Sequence, residues 1–369
     1  MLAAAADRFV ARAAETERLG KLPPETVAEL IQMGVPKMMM PARWGGSERD
    51  LAVVVDLVRA WSKACMSTAW CAGIFAEHSW VLAHARPEAQ AEVWSSGPDA
   101  IVCMSIAATA EVTPAPGGFR LSGQWRFVSG CDYAGWFLLA APPGLLLLPR
   151  ADLAIDHDSW RVSGLCGTGS KTVLVDHVFV PAHRALELTH WPAPGVTPDM
   201  PALFRQPIGS LGHALAAVAV GGAEAALELF QANAARRVLH HQGTLQTEDP
   251  AAHFDIAEAA VRIETARLLL RHGVDFVRGC GEQNTSMLSP LESARLRMYK
   301  SHVVRLCVEA VDRLFAAGGG GALQQSHPLQ RIWRDVHAVQ AHAGLTWANH
   351  ARNFGAQIVG LPPTNRPLF

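Results

Sequence analysis

Three kinds of residue in this chain have the type and spacing to do chemistry. The first is a glycine-rich turn at 164–170, Gly-Leu-Cys-Gly-Thr-Gly-Ser, whose last four positions are Gly167, Thr168, Gly169 and Ser170. Such a turn can lay backbone amides and hydroxyls against a phosphate or the edge of a cofactor ring, and it serves equally as a tight connection between strands. The second is Ala-Ala-Gly-Gly-Gly-Gly-Ala-Leu from Ala316, which contains Gly318, Gly319 and Gly320 and on its own reads as a flexible helix terminator. The third is a scatter of proton-handling side chains: His78 in STAWCAGIFAEHSW, His342 in RDVHAVQAHAG, Ser105 in IVCMSIAATA and Ser129 in WRFVSG. An imidazole titrates near neutral pH and can exchange a proton with a substrate, although a histidine satisfied inside a core has the same local sequence. His337 and His342 stand five residues apart, about 140° round a helix, so no metal site is expected from them. No G-x-G-x-x-G follows a strand-like stretch, so no nicotinamide fingerprint is present.

Those residues need a framework. The chain has 369 residues, half of them apolar and 18% charged, with a formal charge of -1, enough to bury a large core. With acids and bases balanced and no basic run, a nucleic-acid partner is not expected. Asp7, Arg8, Arg12, Glu15 and Glu17 interrupt the Ala-rich start at helical spacing, which excludes the apolar core of a signal peptide. The stretch LGHALAAVAVGGAEAALELF reaches membrane length but contains His213, Glu224 and Glu228, and reads as a buried core helix, so no membrane span is expected. Seven scattered cysteines without a C-x-x-C pair suit reduced thiols in a cytoplasm.

Apolar periodicity divides the chain in three. Residues 1–97 repeat at helical spacing, with Pro23 and Pro24 placed to open a helix at Glu25. Residues 98–190 read as a small β domain: in GGFRLSGQWRFVSG, alternation puts Phe119, Leu121, Trp125 and Phe127 on one face, and WFLLAAP, GLLLLPR, TVLVD and HVFVP follow as separate strands. After the Pro-rich connector HWPAPGVTPDMPA, residues 191–369 return to long helical patterns that short loops would pack into a bundle. Trp44, Trp61, Trp70, Trp80, Trp125, Trp136, Trp160 and Trp333 read as core.

Helices, sheet and helices in that order, with MPARWGGSERDL, STAWCAGIFAEHSW, GQWRFVSGCDYAGW, the W-x-V-x-G-L-x-G-T-G-S run from Trp160, VFVPAHR, LFAAGGGGAL and QRIWRDVHAVQAHAG, resemble the acyl-CoA dehydrogenase fold over nearly the whole chain. Within that superfamily the chain is similar to the oxygenase components of two-component flavin-dependent monooxygenases, the group that includes 4-hydroxyphenylacetate 3-hydroxylase and dibenzothiophene monooxygenase. The resemblance implies an α+β fold: an N-terminal helical domain, a central β-barrel-like domain and a C-terminal four-helix bundle.

It also implies a chemistry. An acyl-CoA dehydrogenase removes the proton α to a thioester with a carboxylate, in much of the family within R-D-A-K-I-x-x-I-Y-E-G-T. Matching RDVHAVQAHAG to that segment puts His342 at the Tyr and Ala343 at the Glu, so the carboxylate is missing. In the monooxygenases a His at this position lies near the oxygen site, and reduced flavin and O2 form a C4a-hydroperoxide that hydroxylates an aromatic or heteroaromatic substrate. The resemblance therefore implies His342, His78 and Ser129 as catalytic residues. It implies Ser105, Ser129, Gly167, Thr168, Gly169 and Ser170 as flavin contacts, with Gly318, Gly319 and Gly320 at the flavin's phosphate end, often across a subunit interface. Phe127, Val128 and Ser129 depart from the commoner dehydrogenase Ile-Thr-Asn. The implied cofactor is reduced FMN, with FADH2 as the alternative, delivered by a separate NAD(P)H-dependent flavin reductase to a cytoplasmic homotetramer. Alternatives are an acyl-CoA dehydrogenase or oxidase with its base elsewhere, a non-catalytic flavin-binding protein, and an N-oxygenase on the same scaffold.

Overall fold

The computed structural model describes residues 2–142, 144–188, 191–193, 195–239 and 243–363. Positions 190 and 194 of the Pro-rich connector lie outside the described residues. Five helices open the chain: α1 Leu2–Leu19, α2 Pro24–Gln32, α3 Leu51–Ser62, α4 Met66–Leu82 and α5 Pro87–Trp94. Eight strands follow: β1 Val102–Ser105, β2 Ala107–Ala115, β3 Gly118–Val128, β4 Trp136–Ala141, β5 Gly144–Pro149, β6 Ala154–Asp156, β7 Lys171–Pro181 and β8 Ala185–Glu187. The remainder is helical apart from a two-residue pair, β9 Val238–Leu239 and β10 Thr244–Leu245: α6 His213–Ala234, α7 Pro250–Glu282, α8 Pro290–Ala317, α9 Gly319–Ala322, α10 Pro328–Gln340 and α11 Trp347–Ile358.

Local chemistry accounts for where these helices begin. Asp249 accepts from Ala251 N–H at 3.0 Å ahead of Pro250 in α7. Ser289 and Glu292 exchange side-chain and backbone bonds as a capping box ahead of α8. Both arrangements satisfy amides that the first helical turn leaves without partners.

The strands form two four-stranded sheets, one ordered β2-β3-β7-β6 and wholly antiparallel, the other β1-β4-β5-β8 with β1 parallel to β4. Two expectations change here. TVLVD and HVFVP are one strand, β7, because Asp176 and His177 form a bulge opposite Ser122, between the pairs Leu121–Val178 and Gly123–Val175, rather than a turn. The His177 amide there donates to Ser122 Oγ at 2.9 Å. Phe127 does not share the buried face of Trp125: a register shift between Trp125 and Val128, with Phe127 at φ +60°, turns its ring outward, 53% exposed, and Val128 takes the core position.

The helix that organises the molecule is α6. Its alanines and glycines are buried almost all round, and α3, α4, α7, α8 and α10 pack against it. Small residues permit this crowding. A side chain at Gly221 would stand 2.1 Å from the Arg59 carbonyl, and Ser62 Oγ donates to Val218 O at 2.6 Å across the same contact. The stretch Ile208–Ala234 contains an 18-residue window apolar enough to cross a membrane, yet 78% of that window is buried inside the protein. Gly221→Ala should therefore lower stability by about 1–3 kcal/mol through overpacking. Gly279→Ala, in open space on α7, should raise it by up to about 1 kcal/mol. Urea unfolding of both variants checks the contrast, and equal shifts would contradict the close α3–α6 crossing.

Candidate active site

A cavity of about 660 Å³ lies where β1, β3, the 163–170 turn, α4, α8, α10 and the segments 208–215 and 341–345 converge. His78, Ser105, Ser129, Thr168, Ser170 and His342 all line it. Gly167 and Gly169 stand behind its wall, where they let the turn pack. A side chain at Gly167 would strike Thr16 Cγ2 at 2.2 Å, and Gly169 holds φ +54° against Asp132. The glycine run at 318–320 is not brought to this cavity, because Gly319–Ala322 coil into α9. Arg237 also donates to the Ala317 and Gly318 carbonyls at 3.1 and 2.8 Å. Gly318 instead borders a separate hollow of about 370 Å³ with Arg237, Asn233 and His327.

The hydroxyls form a chain whose direction can be deduced. Thr168 Oγ1 donates to the Leu165 carbonyl at 2.8 Å, which uses its one proton. Ser170 Oγ lies 2.7 Å from Thr168 Oγ1 and must donate to it; Ser129 Oγ lies 2.7 Å from Ser170 Oγ and must donate in turn. Trp70 Nε1–H closes the sequence by donating to Ser129 Oγ at 3.0 Å. All the protons run toward Leu165, so Ser129 has none left to give and offers the cavity only a lone pair. Ser105 is committed elsewhere. Its hydroxyl donates to Arg126 O at 2.6 Å and accepts from Ala107 N at 3.2 Å, pinning the end of β1 to the bulge in β3.

The two histidines are held in opposite tautomers. His78 Nδ1 is 3.2 Å from the Val102 carbonyl, which can only accept, so Nδ1 carries the proton and Nε2 is a bare acceptor. His342 Nδ1 accepts from the Gly344 amide at 3.1 Å, so its proton sits on Nε2. His342 lies past the end of α10 in the turn 341–345, with its ring edge-on to Trp70 at 5.5 Å. Neither is a near-neutral titrating group, contrary to the expectation for His342. Burial pushes both down to about 4, helped for His78 by His342 and for His342 by Lys300 and His350.

The cavity's inner end is held by a buried carboxyl and a buried amine, each bonded to backbone at the entrance to α6 rather than to the other. Glu77 accepts from the amides of Gly212 and Ala214 at the start of α6, at 3.1 Å each, and Lys300 donates to the carbonyls of Gly209 and Leu211. Burial raises Glu77, opposed by its two amide bonds and then by the charge of Lys300, and burial lowers Lys300, which Arg297 lowers further and Glu77 partly restores. Among the described residues lining the cavity, Glu77 is the only carboxylate, and both its oxygens are taken by backbone amides.

Sequence reasoning missed Trp70, Trp160 and Trp333, which line the cavity rather than only filling core, and the Glu77–Lys300 clamp. A tryptophan in a helical pattern gives no sign of which groups its N–H will meet. Glu77 had a signal: it is the one charged side chain in α4, a helix whose residues are all buried.

Residues 1–96 match the acyl-CoA dehydrogenase N-terminal domain and residues 213–347 the acyl-CoA dehydrogenase C-terminal domain. The chain is 34% identical to the oxygenase component of an FADH(2)-dependent resorcinol hydroxylase from Rhizobium sp. (strain MTP-10005), across 98% of this chain and 94% of that protein. Its structure is similar to that of 3-HSA hydroxylase from Rhodococcus sp. RHA1, with a TM-score of 0.92 and 31% identity over 99% of this chain and 97% of the other. XiaF from Streptomyces sp., solved with FADH2 and glycerol, aligns with a TM-score of 0.89 and 26% identity over 99% and 97% of the two chains.

The depressed His342 gives a pH prediction. An imidazole that titrates at about 4 folded and at about 6.5 unfolded binds more protons unfolded, so its contribution to stability is lost as pH falls through that window. Glu77 and Asp335, both raised by burial, act in the opposite sense and cancel in a difference between variants. Relative to the parent, His342→Gln should gain about 1 kcal/mol for each pH unit lowered between 6 and 5. Denaturant unfolding at several pH values measures it; parallel profiles would show that His342 titrates normally in the folded chain.

Proposed function

The chain belongs to the acyl-CoA dehydrogenase family, among the oxygenase components of flavin-dependent monooxygenases, and from that premise we propose how its own residues divide the work of hydroxylating an aromatic substrate. It is an oxidoreductase that works with reduced flavin, and its relatives' description as oxygenase components implies a separate flavin reductase. The cavity suits a planar ring and a small aromatic together. It combines apolar walls from Met104, Ile106, Phe127 and Trp160 with one edge of committed hydroxyls. When bound, reduced flavin supplies the electrons that activate O2 for transfer of one oxygen atom.

The observation that carries this reading is the pair of opposite tautomers on one cavity. His78, with Nε2 bare, accepts a hydrogen bond from a phenolic hydroxyl, which orients the substrate and leaves more electron density on its ring. His342, with its proton on Nε2, presents a hydrogen-bond donor that would stabilise negative charge developing during oxygen transfer. Ser129, which offers the cavity a lone pair and no proton, would accept from the N5–H of a bound reduced flavin and so restrain that proton against loss as H2O2. Dehydrogenation of an acyl thioester is disfavoured because Glu77, the one carboxylate among the described lining residues, is engaged at both oxygens by the backbone amides at the entrance to α6.

We also propose a cytoplasmic homotetramer. Seven free cysteines support the compartment. Phe254, Val261 and Leu268, spaced seven apart on α7 and 71%, 66% and 61% exposed, support a helix-to-helix subunit contact. In such an assembly the Gly318 hollow would face a neighbour's flavin phosphate end. Val261→Glu with Leu268→Glu should yield a smaller species by light scattering; an unchanged mass, or a monomeric parent, contradicts the α7 contact.

With a flavin reductase and a panel of phenols, the parent should form hydroxylated product with little peroxide. His342→Ala should lose product by about 10²–10³-fold while retaining flavin, the range for removing one donor aimed at developing charge. Ser129→Ala should instead raise peroxide several-fold, as expected for one lost hydrogen bond of about 1 kcal/mol. Product and peroxide measured in the same reactions separate the two, and equal coupling in parent and His342→Ala would remove His342 from the chemistry.

A further inference from the structure

Asp335 has no part in the roles above, yet it is a buried carboxylate on α10, 6% exposed, directly behind the cavity wall. We propose that Asp335 is a positioning residue that sets the direction of the hydroxyl chain ending at Ser129, and thereby how well the reduced ring's N5–H is held; this rests on the reading of Ser129 given above.

The geometry runs through Leu165. This residue sits at φ +51°, ψ +32°, a left-handed conformation that costs a non-glycine residue about 1 kcal/mol or more and persists only when its surroundings hold it. Asp335 Oδ1 holds it by accepting from the Leu165 amide at 2.6 Å. With the amide fixed, the Leu165 carbonyl faces back into the turn, where it accepts from both Thr168 N at 3.0 Å and Thr168 Oγ1 at 2.8 Å. The neighbouring backbone is seated just as closely on α10. A side chain at Gly164 would lie 2.2 Å from the Arg334 carbonyl, and Arg334 itself donates to Ser163 O while pairing with Glu17.

The Leu165 carbonyl is the terminus that draws every proton in the chain one way. Were it to turn aside, Thr168 would be free to donate to Ser170, Ser170 to Ser129, and Ser129 outward. The cavity would then face a donor where the N5–H needs an acceptor. Asp335 reaches Ser129 only through this sequence of Leu165, Thr168 and Ser170, so its effect is a change of polarity rather than a contact.

Two readouts test this. In flavin-free protein, the Trp70 indole N–H resonance, assigned with Trp70→Phe, reports on Ser129 as its acceptor. It should move in Asp335→Ala and in Thr168→Val, and return toward the parent position in Asp335→Asn, whose amide oxygen still accepts from Leu165. With reduced flavin and O2 but no aromatic substrate, peroxide release should rise about fivefold in Asp335→Ala, the worth of one hydrogen bond. It should rise no further in Asp335→Ala/Ser129→Ala than in Ser129→Ala alone. An unmoved Trp70 resonance in Asp335→Ala, or leak factors that multiply in the double variant, overturns the proposal. Should Asp335→Ala not fold, Thr168→Val carries the test: the parent's leak rate and Trp70 resonance in that variant overturn it equally. A Ser129→Ala variant that leaks no faster than the parent instead defeats the reading of Ser129, while the Trp70 resonance still decides whether Asp335 governs the chain.

Discussion

A hydroxyl has a single proton to give, and this site depends on where three of them go. Thr168 gives its proton to a backbone carbonyl, and that one commitment settles Ser170 and then Ser129. The indole N–H of Trp70 arrives from the other end, so the chain has no freedom to reverse while the Leu165 carbonyl stays in place. The surrounding architecture serves that arrangement. β3 delivers Ser129, the turn before β7 delivers Thr168 and Ser170, α4 delivers Trp70, and α10 closes over the turn from the far end of the chain. Residues from all three regions of the chain therefore meet in one line of hydrogen bonds.

Burial is the second constraint, and it gives the histidines their characters. An imidazole in an apolar enclosure without a carboxylate partner stays neutral, and a neutral imidazole has one donor and one acceptor. The Val102 carbonyl and the Gly344 amide choose opposite nitrogens for those roles in His78 and His342. Desolvation alone would make the inner end of the cavity hostile to Glu77 and Lys300. They persist because each is also bonded to backbone groups at the entrance to α6, so the pair holds the segment 209–214 by its carbonyls and its amides at once.

Much of this was legible in the sequence. The periods of the apolar residues separate helices from strands, and the histidines and serines singled out by type and position do meet at one cavity. What was not legible shares a cause: it depends on backbone conformations or partners remote in sequence. Phe127 leaves the core face because a bulge intervenes, and β7 runs on through Asp176 and His177 where turn-forming residues suggested a break. Gly318–Gly320 stand apart from the main cavity, with Gly319 opening α9 and Arg237 donating to the Ala317 and Gly318 carbonyls. The low value for His342 follows from a burial that no local pattern announces, and Asp335 matters only through a leucine 170 positions away.

The central claim is that proton positions, fixed by the fold before any ligand arrives, divide the roles of the site. Long-range proton–nitrogen NMR of the histidine rings in flavin-free protein at neutral pH tests it most directly. The account predicts two neutral rings, with the proton of His78 on Nδ1 and that of His342 on Nε2. The same tautomer at both positions, or an imidazolium at either, would contradict it.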